Sequence, residues 1–440
     1  MRKSLHNDAL TGLTETAMPL NARRAVRGGI LGNYVDQFDI FLPIIALAPA
    51  AAHLYGTENM ARNAGLIFIA TLIGRPLGSA FFGSIADRIG RTTTTKITIL
   101  GVAITTLLIA LVPGSLGSGT LFCILALRFI GGIFIGGEYT SAIPLAMEWT
   151  HERRRGLVSG LIMWMSPWAN ASIAALVFIL LSVLGPDQYS EWGWRIPFIL
   201  GALMAFAMLI YYRAYVLDSP LWQESRKTSS PLRDIFTGAN RRALLQVFVL
   251  MSGMWLFTYM AIAVLTGQLK DSGHLSYQGV SFTMMCATAL SAIAMATCGH
   301  LSTYIGRRNF FILFGALSTI LAPIAYLQIF QQKSLMLLAF FVVLLQVVTV
   351  SVYGPIAAYL TERFPTVVRS SGYGVAYSMS IVLPALYPYY LPPLQRAFGE
   401  HLAVALLLGL AGVLVATGAG IGPETFKRVQ KIESTQSRLR

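Results

Sequence analysis

Charged side chains are scarce in this chain: they make up 12% of its 440 residues, against 55% hydrophobic. So little polar surface excludes an ordinary water-exposed globular domain and makes lipid the solvent. Cysteine is nearly missing. Cys123, Cys286 and Cys298 all fall in or at the ends of apolar runs, with neither a disulfide framework nor zinc-ligand spacing, and they read as packing residues. A Walker-type phosphate loop, an H-E-x-x-H pair and a G-x-S-x-G elbow are all absent, which leaves an ATP-driven pump or an intramembrane enzyme without support. No cofactor or metal is therefore expected, and the chain is not read as an enzyme. A cleavable signal is lacking too: residues 1–27 are polar, and the apolar run after them is too long and carries no small-residue cleavage site. The first apolar run is expected to stay in the protein.

What the chain has in abundance is apolar runs of about 20 residues, each near the length a helix needs to cross roughly 30 Å of hydrocarbon. Twelve spans are expected: 28–49, 65–85, 97–112, 121–147, 156–183 and 196–215, then 244–265, 280–301, 310–329, 335–360, 372–391 and 402–421. The fold class is all-α, polytopic in the membrane. A polar stretch with Pro220 and Pro231 divides the runs six and six. The expected organisation is a tail over 1–27, a six-helix bundle over 28–215, a linker over 216–242, a second bundle over 243–421 and a tail over 422–440.

A formal charge of +14 raises the question of nucleic acid, and the distribution of Lys and Arg answers it. Outside the spans, all but Arg62, Arg195, Lys270, Lys333 and Arg396 fall on the side of the N-terminus. That asymmetry is a topology signal, placing both termini in the cytoplasm, and no nucleic-acid partner is expected.

The two halves also echo each other. Gly83, Asp87, Arg88, Gly90 and Arg91 form G-x-x-x-D-R-x-G-R between the second and third spans, and Gly299, Thr303, Gly306, Arg307 and Arg308 stand in the equivalent loop of the second half. Glu148 and Arg155, seven apart after the fourth span, return as Glu362 and Arg369 after the tenth.

The first of these loops, inside a six-plus-six plan, resembles the signature loop of the major facilitator superfamily. Further segments resemble its metabolite:proton symporter branch: Gly32-Asn33 with Phe38-Asp39, Arg75-Pro76-Leu77-Gly78, Arg128 with Gly131-Gly132 and Gly136-Gly137-Glu138, Arg153-Arg154-Arg155-Gly156, Gly193 to Phe198, and Asp218-Ser219-Pro220. The chain departs from the family pattern at Thr92 to Thr95, where basic residues usually follow, and at Thr303, where the second loop lacks an Asp. The resemblance implies a monomeric secondary transporter of the bacterial inner membrane, with the proton as coupling ion. It also implies a small polar cargo such as a dicarboxylate, citrate, shikimate or a zwitterionic osmolyte.

Charge inside a span costs on the order of 2.5 to 3.5 kcal/mol, so Asp36, Asp39, Arg75, Arg128 and Glu138 need interior roles. Asp39 lies about 11 residues into its span, roughly 16 Å deep. The resemblance sets it opposite Arg128, as a proton-coupling ion pair or a fixed helix lock. Asp36 and Glu138 are further candidates for proton coupling, Glu138 as a second proton site, an Arg75 partner or a structural acceptor. Arg75 carries a planar head suited to a carboxylate and could equally be a helix-packing element. Arg128 and Asp36 are also candidate substrate contacts. So are Trp164 and Trp168, which bracket Pro167, and Trp255, Tyr259, Tyr353 and Tyr377, each of which packing also explains.

Gly83 to Arg91 reads as a gate, with Asp87 meeting the N-terminus of a later helix and Arg88 and Arg91 meeting Glu148 or Glu152. Glu148, Arg155, Gly306, Arg307, Glu362 and Arg369 extend it; the alternative is that the arginines are topology signals alone. The functional expectation is proton-coupled uptake of a small organic anion by alternating access. A zwitterion or sugar symporter, a proton-antiport efflux pump, a channel and a non-transporting receptor are the alternatives.

Overall fold

The computed structural model describes residues 18–56, 60–114, 118–271 and 277–426. Among them the first half contains α1 (Leu20–Ala46), α2 (Met60–Ile89), α3 (Arg91–Leu111), α4 (Ser118–Glu148), α5 (Glu152–Met163 and Met165–Gln188) and α6 (Arg195–Tyr215). The second half contains α7 (Gly238–Thr258, continuing to Asp271), α8 (Tyr277–Ile305), α9 (Arg307–Ile329), α10 (Leu335–Val350, continuing to Arg363), α11 and α12 (Glu400–Ile421). Eleven of these are long and apolar enough to cross a membrane. The twelfth, α11, is broken into Arg369–Met379, Val382–Ala385 and Tyr387–Phe398, where Pro384, Pro388, Pro392 and Pro393 withhold helix hydrogen bonds. Twelve crossings in two six-helix bundles result.

Large apolar side chains cover the outside, among them Phe122, Phe178, Val183, Ile210 and Met336, as lipid contact requires. Inside each bundle the same pairs pack: α2 on α4 as α8 on α10, α3 on α6 as α9 on α12, and α1 on α6 as α7 on α12. Between bundles α2 packs on α11 and α5 on α8, which are each other's equivalents under the repeat. The α2–α4 seam is the tightest. A Cβ on Gly78 would stand 1.8 Å from the Ile133 carbonyl, and one on Gly136 would stand 2.3 Å from the Arg75 carbonyl. This close approach of backbones fixes Arg75 against α4.

Boundaries depart from expectation where helices outrun the apolar runs. α1 starts at Leu20, inside the expected tail, since Pro19 begins the helix and Ala22 and Ala25 are buried. The linker region holds two short helices, Pro220–Glu224 and Pro231–Asp234, each opened by its proline, and α7 begins within it at Gly238.

Candidate functional site

A cavity of about 440 Å³ lies between the halves, lined by residues of α1, α2, α4, α5, α7, α8, α10 and α11. Arg75 is the one charged residue among the described lining residues. Its side chain is 3% exposed, and it makes no ion pair among the described residues. Among the described residues its Nε and Nη2 have no hydrogen-bond partner. The guanidinium carbon lies 5.8 Å from the ring centres of both Tyr139 and Tyr377, which hold its plane by cation–π attraction. A buried guanidinium with two unpartnered donors beside a cavity has the chemistry to accept an anion.

Arg128, by contrast, is fully committed. Nη1 lies 2.8 Å from Asp39 Oδ2, Nη2 donates to the Asp39 carbonyl at 2.9 Å, and Nε donates to Thr71 at 3.1 Å. Thr106 donates to the other Asp39 carboxylate oxygen. Neither Arg128 nor Asp36 lines the cavity, so their expected substrate contacts are not found in this conformation. Glu138 does not pair with Arg75 either. It is buried on α4 against α1, where Asp36 is buried as well. Gly32 leaves room for it: a Cβ there would lie 3.4 Å from Glu138 Oε1.

Trp255, Tyr259, Tyr353 and Tyr377 all line the cavity. Trp255 meets Tyr377 edge-on at 5.1 Å and Tyr353 at 5.8 Å, and its indole N–H donates to the Tyr377 carbonyl at 3.1 Å. Trp164 and Trp168 do not line it, which corrects the expectation. α5 breaks at Trp164, so Ser166 and Pro167 turn inward, Trp168 is 44% exposed, and the two indoles pack on each other at 6.4 Å. Sequence reasoning missed Asn33, Gln37, Tyr139 and Gln346. Asn33, Gln37, Ile40 and Ile44 form one stripe of α1 at helical spacing, and that stripe was the available signal.

At the end of the molecule carrying the signature loops, the halves are closed on each other. Asp87 accepts from the backbone of Ser370 at 3.0 Å and Ser371 at 2.8 Å, at the N-terminus of α11, where a helix favours an anion. Arg91 lies 2.9 Å from Glu148 and 3.6 Å from Asp87, and donates to the Thr366 carbonyl at 3.1 Å. Arg88 donates to the Ser229 carbonyl rather than to Glu148 or Glu152, binding the linker to the loop. The second-half loop repeats the scheme: Arg307 lies 3.3 Å from Glu362 and bonds Thr303 where the first half has Asp87. Gly90 and Gly306 precede α3 and α9, whose first amides are capped from after α6 and α12: Asp218 accepts from Thr92 at 2.8 Å, and Glu424 from Arg307 at 2.8 Å.

The chain matches the family model described as Major Facilitator Superfamily over residues 30–388. It is 28% identical over 423 residues to an inner membrane metabolite transport protein of Escherichia coli K12, YhjE, covering 92% of this chain and 93% of that one. It is 29% identical over 367 residues to the alpha-ketoglutarate permease of the same organism, covering 81% and 83%. Among solved structures, the proton:xylose symporter XylE bound to 6-bromo-6-deoxy-D-glucose superposes with a TM-score of 0.78 at 16% identity, covering 94% and 99%.

Proposed function

The chain belongs to the Major Facilitator Superfamily, as a multi-pass membrane transporter of metabolites and not an enzyme, and from that premise we propose that it takes up a small organic carboxylate by proton-coupled alternating access. The observation that carries the reading is Arg75, buried in the cavity with Nε and Nη2 unpartnered. A carboxylate accepts two parallel N–H bonds from such a head, and the low dielectric of a buried site strengthens them.

Proton coupling is assigned to the buried acids behind the cavity. Protonation of Asp39 removes the charge that holds Arg128, and loss of that proton restores the pair. Asp36 on α1 and Glu138 on α4, both buried, are assigned as further proton carriers. The gate of Asp87, Arg91, Glu148 and Arg369, with Arg155, Arg307 and Glu362, seals one end, so the cavity exchanges with the other. Following the Lys and Arg asymmetry, the sealed end is cytoplasmic, with both termini there and the protein working as a monomer in the bacterial inner membrane. Opening the gate while the far end closes moves the bound anion across.

The test is uptake by full-length protein in proteoliposomes with an imposed proton gradient, alkaline inside. Carboxylate accumulation above equilibrium in wild type, and its loss in Asp39→Asn with exchange retained, is the expected result. Accumulation that ignores the gradient in wild type would sink the proton-coupled reading.

A further inference from the structure

We propose that the cavity selects a monocarboxylate with a ring-shaped, largely apolar body, and rejects dicarboxylates and zwitterions of similar size. This rests on the carboxylate reading of the same site and narrows it. The first observation is a count of usable charge. Arg75 is the single charged residue among the described lining residues. Arg128 is not a second anchor, because every one of its nitrogens already has a protein partner and its side chain is 1% exposed. A second carboxylate on the cargo would have to lose its water with no cation to meet it, and that uncompensated burial is strongly unfavourable.

The second observation concerns positive charge. No acidic side chain lines the cavity among the described residues, so a cargo ammonium finds no counter-ion. An aromatic cage could replace one, and Tyr139 and Tyr377 are stacked at 4.3 Å, but Arg75 already occupies the cation position over both rings. A second cation beside it is repelled.

The third observation is the rest of the wall. Apart from Arg75 it is largely aromatic and aliphatic, with Trp255, Tyr259 and Phe68 among its residues, and the other polar groups are neutral amides and hydroxyls. Asn33, which lines the cavity, has its Oδ1 buried without a partner among the described residues. Rings gain from aromatic walls by offset or edge contact, and ring hydroxyls can bond to neutral amides. The volume of about 440 Å³ sits within the range of small-molecule sites and exceeds what a two-carbon acid fills.

The experiment is ligand binding to the purified full-length protein, by calorimetry, with a matched series: benzoate, 4-hydroxybenzoate, phthalate, 2-oxoglutarate, acetate, benzamide and glycine betaine. Benzoate and 4-hydroxybenzoate are expected to bind at least about tenfold tighter than phthalate, acetate and benzamide. Arg75→Gln should abolish the preference for benzoate over benzamide. Trp255→Leu should weaken benzoate several-fold while leaving acetate unmoved, which a general loss of fold would not do. Phthalate or 2-oxoglutarate binding as tightly as benzoate overturns the monocarboxylate selection and leaves carboxylate transport standing. Glycine betaine binding where no anion does overturns both. Failure of all seven to bind overturns the ring-acid proposal, and the proteoliposome assay then judges the carboxylate reading separately.

Discussion

Glu148 of the first half lies 2.5 Å from Arg369 of the second, and the same contact, built again by the repeat, sets Glu362 3.9 Å from Arg155. Each glutamate also holds the arginine of its own half's loop, Arg91 at 2.9 Å and Arg307 at 3.3 Å. The contact between the halves at this end is thus two crossed, unequal triads. The Glu148 triad is the tighter and is supported by Ser219 from the linker. Removing one member of a buried charge set costs about 3 to 5 kcal/mol, because the partner is left uncompensated. Glu148→Gln is therefore expected to open the closed end far more than Glu362→Gln. Thiol labelling of a cysteine placed at Ser370 reads this out; equal labelling in the two variants would contradict the asymmetry.

Gly156 packs where the halves touch. A Cβ there would stand 2.3 Å from the Gly299 carbonyl, which is backbone of the opposite half and has no side-chain freedom to yield. Gly156→Ala should keep the halves apart at this end and lower uptake about tenfold or more, with protein yield and helicity unchanged. Gly420→Ala, with open space around it, is the control expected to transport normally.

Arg75→Lys retains the charge and loses the planar fork, whereas Arg75→Gln loses both. Charge-assisted hydrogen bonds contribute about 1.5 to 3 kcal/mol each, so KM for the carboxylate should rise roughly tenfold or more in Arg75→Lys and further in Arg75→Gln. Concentration-dependent uptake distinguishes this from a packing role, in which Arg75→Lys and Arg75→Gln would lower protein stability and leave KM alone.

Glu138→Gln imitates the protonated acid and removes its titration while keeping its size. Counterflow, which needs no net proton movement, should survive. Proton-driven uptake by wild type should rise as the outer pH falls, since more transporters carry a proton inward. In Glu138→Gln that dependence should flatten. A pH profile matching wild type would remove Glu138 from the coupling path.

Span number, the six-plus-six division and the repeated loops were legible in the residues, because lipid forces long apolar helices and a duplicated chain keeps its offsets. So was the presence of Asp39, Arg128, Asp87, Arg91 and Glu148 as charges in need of partners, since charge in or beside hydrocarbon stands out against an apolar background. Which charges face the cavity was not legible. Arg75 and Arg128 look alike in a chain of letters; only the crossing of α1 and α2 with α4 gives Arg128 a carboxylate, a carbonyl and a hydroxyl and leaves Arg75 with free donors. That Trp164 and Trp168 do not line the cavity was not legible either, since the interruption of α5 at Trp164 leaves no mark in a periodicity count. Sequence set the inventory of buried charge, and tertiary packing decided which member of it remains unsatisfied.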